Sequence, residues 1–246
     1  MYDLKDESYQ GPNGVSANFV FRKNTADECT CQATYRDDEY RFVNFPPKPG
    51  DWMIDGGGYI GTTAILYAQL YPQCKVITIE PLPENVALIR KNIDRNGLKD
   101  RVFLEDKGLF NMDGQKVEIY YRDDSPVGIA HKFIGASSRV YTESVDAKFF
   151  AADTISLAKI FEKYGILSVR ILKMDMECSE YKALENVPEN ILRKIQTMVG
   201  EYHNPDKETI KNPRTKLYNL VKNVFDDVSQ QEERQFIGAF LFERRT

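Results

Sequence analysis

The stretch DWMIDGGGYIG, residues 51–61, decides the fold of this chain. The apolar run that ends at Asp55 predicts a buried strand, and the apolar run over residues 62–70 predicts a helix. Three consecutive glycines and then Gly61 lie between them. Glycine adopts positive φ at no steric cost, so the backbone can turn sharply here and a ligand can approach it. A strand, a glycine turn and a helix N-terminus in this order predict a nucleotide-binding site.

Strands and helices alternate along the chain after this turn. Strands are predicted at residues 52–55, 75–80, 101–105, 169–175, 197–201 and 236–242. Helices are predicted at residues 62–70, 83–95, 156–164, 181–184 and 215–222. Such alternation predicts a mostly parallel sheet with helices on both faces, and we expect the closing apolar strand to run antiparallel to its neighbour. The fold class is therefore predicted to be α/β. A further strand at residues 116–121 lies outside the alternation.

The first 48 residues have a different pattern. Short alternating and aromatic runs, such as residues 17–21 and 40–45, are separated by turn signals. This pattern predicts an N-terminal β extension over residues 1–48, as a hairpin packed on the core, followed by one domain over residues 49–246. Residues 122–151 have little periodicity, and we expect them to form an insertion over the ligand-binding face, where loops often determine specificity.

Composition limits the classes of partner. The 246 residues carry a formal net charge of −4, and the 33 basic residues are scattered rather than clustered. This distribution argues against nucleic acid as the main partner. No apolar run reaches the ~18 residues that a membrane-spanning helix needs. The N-terminus lacks the profile of a signal peptide, so we expect a cytoplasmic protein without a membrane partner.

Two acidic residues flank the glycine turn. Glu80 ends the second strand, where a carboxylate can accept hydrogen bonds from both hydroxyls of a ribose, in NAD or in S-adenosylmethionine. The turn follows Asp-x-Gly-x-x-x-Gly rather than the Gly-x-Gly-x-x-Gly of dinucleotide sites. Asp55 can bind the ammonium of S-adenosylmethionine, directly or through water, whereas it would repel a diphosphate. The pattern favours S-adenosylmethionine, and an NAD-dependent oxidoreductase is the alternative.

Three motifs together resemble those of the FkbM-type methyltransferases, within the class I methyltransferase superfamily. They are MIDGGGYIG at residues 53–61, EPLPEN at residues 80–85 and LKMDMECSE at residues 172–180. The first motif fits any class I methyltransferase, and the other two are more specific. The resemblance covers about residues 50–204. The family usually has Glu-Gly-x-Glu where this chain has ECSE at residues 177–180. That departure leaves open a non-catalytic relative that binds a cofactor or a partner.

The resemblance implies a Rossmann-like fold with a seven-stranded sheet whose last strand is antiparallel. It implies S-adenosylmethionine as the methyl donor and usually O-methylation of a hydroxyl on a small molecule, sugar or glycan. The region after residue 48 is then the methyltransferase domain. The residues implied in cofactor binding are Asp55, Gly56, Gly57, Gly58, Tyr59, Gly61, Glu80, Pro81, Asp106 and Asp175. Among them Asp106 falls near the adenine, and Asp175 faces the transferred methyl.

Polar residues at the ends of later strands are candidates for the chemistry. If the acceptor is a hydroxyl, its proton must be removed. His203 titrates near neutrality, which suits a general base, and Asp175 and Glu201 are the other candidates. A lone histidine in a loop is more often structural, so that alternative stays open. Asp175 with Glu177 or Glu201 could instead bind Mg²⁺ and orient a substrate diol. The sequence indicates neither the acceptor nor the oligomeric state.

Overall fold

The computed structural model describes residues 3–121, 148–177, 179–204 and 211–245. Its strands are β1 (Leu4–Gln10), β2 (Ser16–Arg22), β3 (Trp52–Gly56), β4 (Lys75–Ile79), β5 (Val102–Glu105), β6 (Gly108–Leu109), β7 (Lys116–Tyr121), β8 (Lys148–Ile155), β9 (Val169–Met174), β10 (Ile195–His203), β11 (Phe225–Asp227) and β12 (Ile237–Arg244). Its α-helices are α1 (Asp27–Asp37), α2 (Thr62–Leu70), α3 (Pro83–Arg95), α4 (Leu157–Tyr164), α5 (Glu180–Leu184), α6 (Glu189–Leu192) and α7 (Pro213–Asn219).

A seven-stranded sheet forms the centre of the protein, in the order β11-β12-β10-β9-β3-β4-β5. Strand β12 runs antiparallel to both of its neighbours, and the pairs among β10, β9, β3, β4 and β5 are parallel. The predicted α/β fold with a mostly parallel seven-stranded sheet and an antiparallel last strand is confirmed. The chain builds outward from β3 to β5 and then returns to place β9 on the other side of β3. A crevice at the carboxyl ends of β3 and β9 follows from this reversal.

Helices cover both faces of the sheet because each presents an apolar side to it. Helix α3 begins with Pro83, whose missing amide proton costs nothing at the first helical position. Its residues Val86, Ile89 and Ile93 recur at helical spacing and are buried, while Lys91 points to solvent. Helices α2 and α3 pack on one face, in one buried cluster, and α4 and α5 contribute to the cluster on the other.

The N-terminal segment packs on helix α2. Residues 62–68 of α2 are all buried, and a helix without a polar face needs cover on every side. Strands β1 and β2 form an antiparallel hairpin, and Phe19 of β2 and Tyr35 of α1 belong to the same buried cluster as Ile65. The sequence patterns did not predict helix α1. The division of the chain at residue 48 stays a prediction, because the extension shares its apolar cluster with the domain.

A second, small sheet lies outside the alternating pattern, in the order β6-β8-β7. It contains the strand predicted at residues 116–121, which pairs antiparallel with β8. Most of the predicted insertion, residues 122–147, lies outside the described residues, whereas residues 148–151 begin β8. Within the described ranges, no helix has the length and apolar character needed to cross a membrane.

Candidate active site

The glycine turn, residues 56–61, joins β3 to α2. The amides of Gly57 and Gly58 both donate to the carbonyl oxygen of Ile79, at 3.0 and 2.9 Å, which connects the turn to the end of β4. Gly57 adopts a φ of +82°. A Cβ added to Gly57 would lie 1.9 Å from the carbonyl oxygen of Asp175 on the neighbouring chain segment. Both backbone conformation and space therefore require glycine at residue 57.

Asp55 lies beneath this turn and is fully buried. Its Oδ2 accepts hydrogen bonds from the hydroxyls of Thr63 and Thr78, both at 2.9 Å. Its Oδ1 lies 3.1 Å from Nζ of Lys173, which also donates to the carbonyl oxygen of Gly57 at 2.8 Å. Burial works to lower the pKa of Lys173, but Asp55 and other carboxylates outweigh it and raise the pKa. Both Asp55 oxygens thus contact groups inside the protein, which favours a supporting role over direct contact with a ligand ammonium.

Glu80 follows β4 and lies in the wall of a cavity beside the turn. Its carboxylate accepts hydrogen bonds from the amides of Tyr59, at 2.9 Å, and Leu82, at 3.0 Å. The side chain of Asn85 also hydrogen-bonds to it, while burial raises the pKa of Glu80 to about 7. Asn85 is itself buried, and its Oδ1 has no hydrogen-bond partner among the described residues. Glu80 and Asn85 therefore offer hydrogen-bonding groups to a ligand in this cavity.

The cavity has a volume of about 330 Å³, and the N-terminal segment supplies part of its wall. Ala26, just before α1, and Thr30 within it line the same cavity as the glycine turn. The tyrosine of the turn, Tyr59, connects the two parts. Its hydroxyl donates to Asp27, and the guanidinium carbon of Arg22 lies 5.5 Å from its ring centre. Arg22 and Asp27 form a buried ion pair within the N-terminal segment. Their contacts with Tyr59 therefore hold this segment against the turn.

Four carboxyl side chains, called the carboxylate cluster below, line the same cavity: Glu39, Asp175, Glu177 and Glu201. Asp175 follows β9, Glu201 lies in β10, and Glu39 follows α1. The hydroxyl of Tyr40 donates to Oδ2 of Asp175 at 2.8 Å. Burial raises the pKa of Glu39 to about 6. Burial, together with the charge of Asp175, also raises the pKa of Glu201. Burial is thus the main cause of both shifts, and neighbouring carboxylates add to it.

His203, the last residue of β10, lies behind the cluster and is 5% exposed. Its Nδ1 is 3.2 Å from Oε1 of Glu180. Its Nε2 lies 3.8 Å from carboxylate oxygens of both Asp175 and Glu201 and 3.9 Å from one of Glu177. Burial works to lower the pKa of His203, but the hydrogen bond with Glu180 and the surrounding carboxylates raise it to about 10. The ring therefore carries a proton at neutral pH. The predicted role as general base stays a prediction, and this geometry favours a fixed positive charge.

Asp175, Glu201 and His203 each offer one ligand atom, and these atoms lie within 4.8 Å of one another. A spacing of this kind is compatible with a bound metal ion. Mg²⁺ prefers oxygen ligands, which Asp175 and Glu201 offer, whereas His203 offers a nitrogen. The Mg²⁺ site expected at Asp175, Glu177 and Glu201 stays a prediction.

The structure brings most of the predicted site residues to one cavity. Those that line it are Gly57, Gly58, Tyr59, Glu80, Pro81, Asp175, Glu177 and Glu201. Within the described part of the chain, its lining does not include Asp55, Gly56, Gly61, Asp106 or His203. Asp106 follows β5, is largely exposed and pairs with Arg90 at 3.1 Å. Its predicted approach to the adenine stays a prediction.

Sequence reasoning missed the contribution of the N-terminal segment to the cavity. Glu39 and Tyr40 lie in a stretch that matches no motif, about 135 residues before Asp175 in the chain. It also gave no role to Lys173, although that residue lies within a quoted motif. A lysine inside a buried apolar strand was the available signal, because such a residue requires an ionic partner.

Comparison with known proteins gives a consistent assignment. The profile described as Methyltransferase FkbM domain matches residues 55–239. Methyltransferase sdnD of Sordaria araneosa is 23% identical over 219 residues, which cover 80% of this chain and 79% of that protein. The 31-O-demethyl-FK506 methyltransferase FkbM of Streptomyces tacrolimicus is 24% identical over 228 residues, which cover 81% and 83%. Among solved structures, a putative rRNA methylase from Clostridium thermocellum matches with a TM-score of 0.50 and 13% identity, covering 86% of this chain and 96% of that one.

Proposed function

The chain belongs to the FkbM methyltransferase family, and from this premise we propose that it methylates a hydroxyl group on a small molecule or sugar. S-adenosylmethionine is the methyl donor that the family implies. When bound, it supplies a methyl group on a sulfonium, which a nucleophile attacks in line. The task of the protein is then to position the two reactants and to accept the hydroxyl proton.

The cavity fits a cofactor of this kind. Its volume of about 330 Å³ lies in the range of about 300–1,000 Å³ common for ligand sites. The unpartnered Oδ1 of Asn85 and the carboxylate of Glu80 offer hydrogen-bond acceptors in its wall. Gly57 and Tyr59 bring the main chain of the turn to the same wall. We assign the binding of S-adenosylmethionine to these residues, with Asp55 and Lys173 holding the turn from beneath.

One observation carries the proposal for the acceptor: carboxylates of Asp175 and Glu201 line the same cavity as the glycine turn. A carboxylate there can accept the proton that a hydroxyl loses during methyl transfer. Burial raises the pKa of Glu201, and a carboxylate with a raised pKa accepts a proton more readily than an exposed one. Tyr40 holds Asp175 by a hydrogen bond of 2.8 Å, and His203 balances part of the negative charge from behind.

The relatives support the same class of reaction. The name of the Streptomyces tacrolimicus relative gives 31-O-demethyl-FK506 as its substrate, a molecule that lacks a methyl group on an oxygen. The family match favours methyl transfer over the hydride transfer of an NAD-dependent oxidoreductase. A non-catalytic relative is the remaining alternative, since ECSE stands at residues 177–180. Mg²⁺ held by Asp175, Glu177 and Glu201 would be a second way to orient an acceptor diol, and activity that survives a chelator would exclude it.

The test has a binding step and a product step. Calorimetry with S-adenosylhomocysteine should give saturable binding that weakens about tenfold or more in Glu80→Gln, because charged hydrogen bonds contribute about 1.5–3 kcal/mol. The control is Glu162→Gln, since Glu162 is exposed on α4 and pairs only with Lys159 among the described residues.

Incubation with a panel of sugars and polyols and ¹³C-methyl-labelled donor should then give a methyl ether, identified by its ¹³C shift. Equal affinity in Glu80→Gln would remove the cofactor assignment, and label found on nitrogen or sulfur would remove O-methylation.

A further inference from the structure

Tyr59 has an unusual backbone conformation for a residue of its size. It lies in the glycine turn and adopts a φ of +52°. A bulky side chain crowds the backbone at positive φ, so this conformation is uncommon for tyrosine and costs stability. Such strain persists only where the surrounding structure holds it, and it is often found at functional sites. The contacts of Tyr59 therefore indicate what its conformation contributes to the cavity.

The hydroxyl of Tyr59 is held by a buried ion pair of the N-terminal segment. It donates to Oδ1 of Asp27, which is fully buried. The guanidinium of Arg22 donates to both oxygens of the same carboxylate, from Nε and from Nη2, each at 2.9 Å. Burial and the charge of Asp27 raise the pKa of Tyr59, so its hydroxyl stays protonated and donates. The phenol ring is therefore fixed at the start of α1.

The backbone of Tyr59 contacts Glu80, the carboxylate expected at the ribose. The amide of Tyr59 donates to Oε2 of Glu80 at 2.9 Å. The other oxygen, Oε1, accepts from the amide of Leu82 at 3.0 Å, and the side chain of Asn85 adds a further hydrogen bond. Leu82 and Asn85 follow Glu80 closely in the chain, whereas Tyr59 reaches it from the turn after β3. The orientation of Oε2 therefore depends on the backbone conformation of Tyr59.

We propose that Tyr59 is a positioning residue for S-adenosylmethionine, held in place by the ion pair of Arg22 and Asp27. The anchored hydroxyl keeps Tyr59 in its left-handed conformation, and its amide then directs the carboxylate of Glu80 toward both hydroxyls of the ribose. The inference rests on the proposed function. It extends the cofactor site to residues 22 and 27, which precede the profile match at residues 55–239. Loss of the hydroxyl should weaken recognition of the ribose in particular.

The experiment measures how well the protein distinguishes S-adenosylhomocysteine from its 2′-deoxy derivative, which lacks one ribose hydroxyl. In calorimetry the wild type should bind S-adenosylhomocysteine at least about tenfold more tightly, because the derivative loses a hydrogen bond to a charged group. In Tyr59→Phe this ratio of affinities should fall about threefold or more. Glu80→Gln should lower the ratio at least as far. Adding Tyr59→Phe to Glu80→Gln should not lower it again, because both changes act on the same contact.

Tyr35→Phe is the matched control. Tyr35 belongs to α1 in the same N-terminal segment, and its hydroxyl donates to Gln69 at 3.2 Å. It is not among the described residues that line the cavity, so its variant should keep the wild-type ratio. Tyr59→Phe should fold, as checked by urea titration, because Asp27 keeps its hydrogen bonds with Arg22. Asp27→Asn weakens the acceptor of the Tyr59 hydroxyl and is the second variant, in which the ratio should also fall.

Three results would overturn the proposal. A wild-type ratio in folded Tyr59→Phe would mean that Leu82 and Asn85 hold Glu80 without the turn. An equal fall in Tyr35→Phe would mean that any loosening of the N-terminal segment has this effect. A further fall in the double variant would mean that Tyr59 acts by a route other than Glu80. If Glu80→Gln itself keeps the wild-type ratio, the cofactor assignment of the proposed function fails, whereas a lower ratio there with an unchanged ratio in Tyr59→Phe is a failure of this inference alone.

Discussion

The glycine turn and the carboxylate cluster share one cavity but differ in how their polar groups are satisfied. Beneath the turn, Asp55 contacts Thr63, Thr78 and Lys173, so each oxygen of the buried carboxylate contacts a polar group of the protein. In the cluster, four carboxylates line one cavity, and burial raises the carboxyl pKa of Glu39 to about 6. A site that is complete without its ligand acts as a fixed support, whereas a site with surplus charge is completed by what it binds.

The two regions also differ in the origin of their residues. The turn comes from one stretch of chain, residues 56–61, with support from the strands directly beside it. The cluster combines the loop after α1 with the ends of β9 and β10, and the bond from Tyr40 to Asp175 spans 135 residues. Changes in the turn should therefore reduce stability, while changes in the cluster should alter pH dependence and turnover. The four predictions below test this contrast.

The largest effect is expected for Gly57→Ala. The new Cβ would meet the carbonyl oxygen of Asp175 at 1.9 Å, and alanine would have to adopt a φ of +82°. Overpacking and left-handed strain together should cost about 3–5 kcal/mol of unfolding free energy, measured by urea titration. Gly97→Ala is the control, because Gly97 also has positive φ (+65°) but no atom within 4 Å of its Cβ position. That variant should lose about 1 kcal/mol. Equal losses would show that conformation alone, and not the close approach, makes Gly57 necessary.

Much of this contrast could be predicted from the sequence, and the limits have physical causes. The glycine turn and the alternation of strands and helices follow from the local sequence pattern, so the α/β fold class was predicted correctly. The role of Asp55 depends on register: Asp55 and Lys173 are direct partners on the parallel strands β3 and β9. Their residue numbers differ by more than 100, and nothing local indicates that they meet. A carboxylate that seemed available for a ligand is therefore already paired.

The second prediction concerns that ion pair. In Lys173→Met the buried carboxylate of Asp55 loses its counter-charge, which should cost about 3 kcal/mol in unfolding free energy. Lys159→Met removes an exposed pair with Glu162 and should cost less than about 1 kcal/mol. Both are measured by urea titration of purified protein. A loss for Lys173→Met no larger than that of its control would mean that water or a proton replaces the lysine, and the turn would not depend on it.

The prediction for His203 did not take its neighbours into account, because they too are distant in the sequence. The sequence places a histidine at the end of β10, where a base is useful, but its protonation depends on Glu180 at the start of α5 and on Asp175 after β9. These acids approach the ring only in the folded protein. Spacing along the chain therefore indicates which residues meet at the sheet edge, but not how their charges influence one another.

The third prediction uses this influence. The pKa of His203 is about 10 in the folded protein and about 6.5 in an unfolded chain. A raised folded-state pKa gives stability that is complete below pH 6.5 and is lost as the pH rises through 10. The wild type should therefore exceed His203→Gln by about 2 kcal/mol in unfolding free energy at pH 6.5, with a gap that narrows toward pH 10. A gap that is constant or widens with pH would mean that the imidazole is neutral in the folded protein.

The smallest effect on stability, and the sharpest separation of the two regions, is expected for Tyr40→Phe. This change removes one hydrogen bond to Asp175, which is partly exposed and can gain water instead, so the cost should be about 1 kcal/mol. Tyr67→Phe is the matched control, because the buried hydroxyl of Tyr67 donates to the carbonyl oxygen of Phe45 at 2.9 Å and its loss should cost about the same.

Only Tyr40→Phe should lower kcat, about tenfold, because Asp175 is no longer held against the acceptor. Its affinity for S-adenosylhomocysteine should not change, since Glu80 and Asn85 are untouched. Equal kcat in both variants would assign Tyr40 to packing and leave the position of Asp175 to its own backbone.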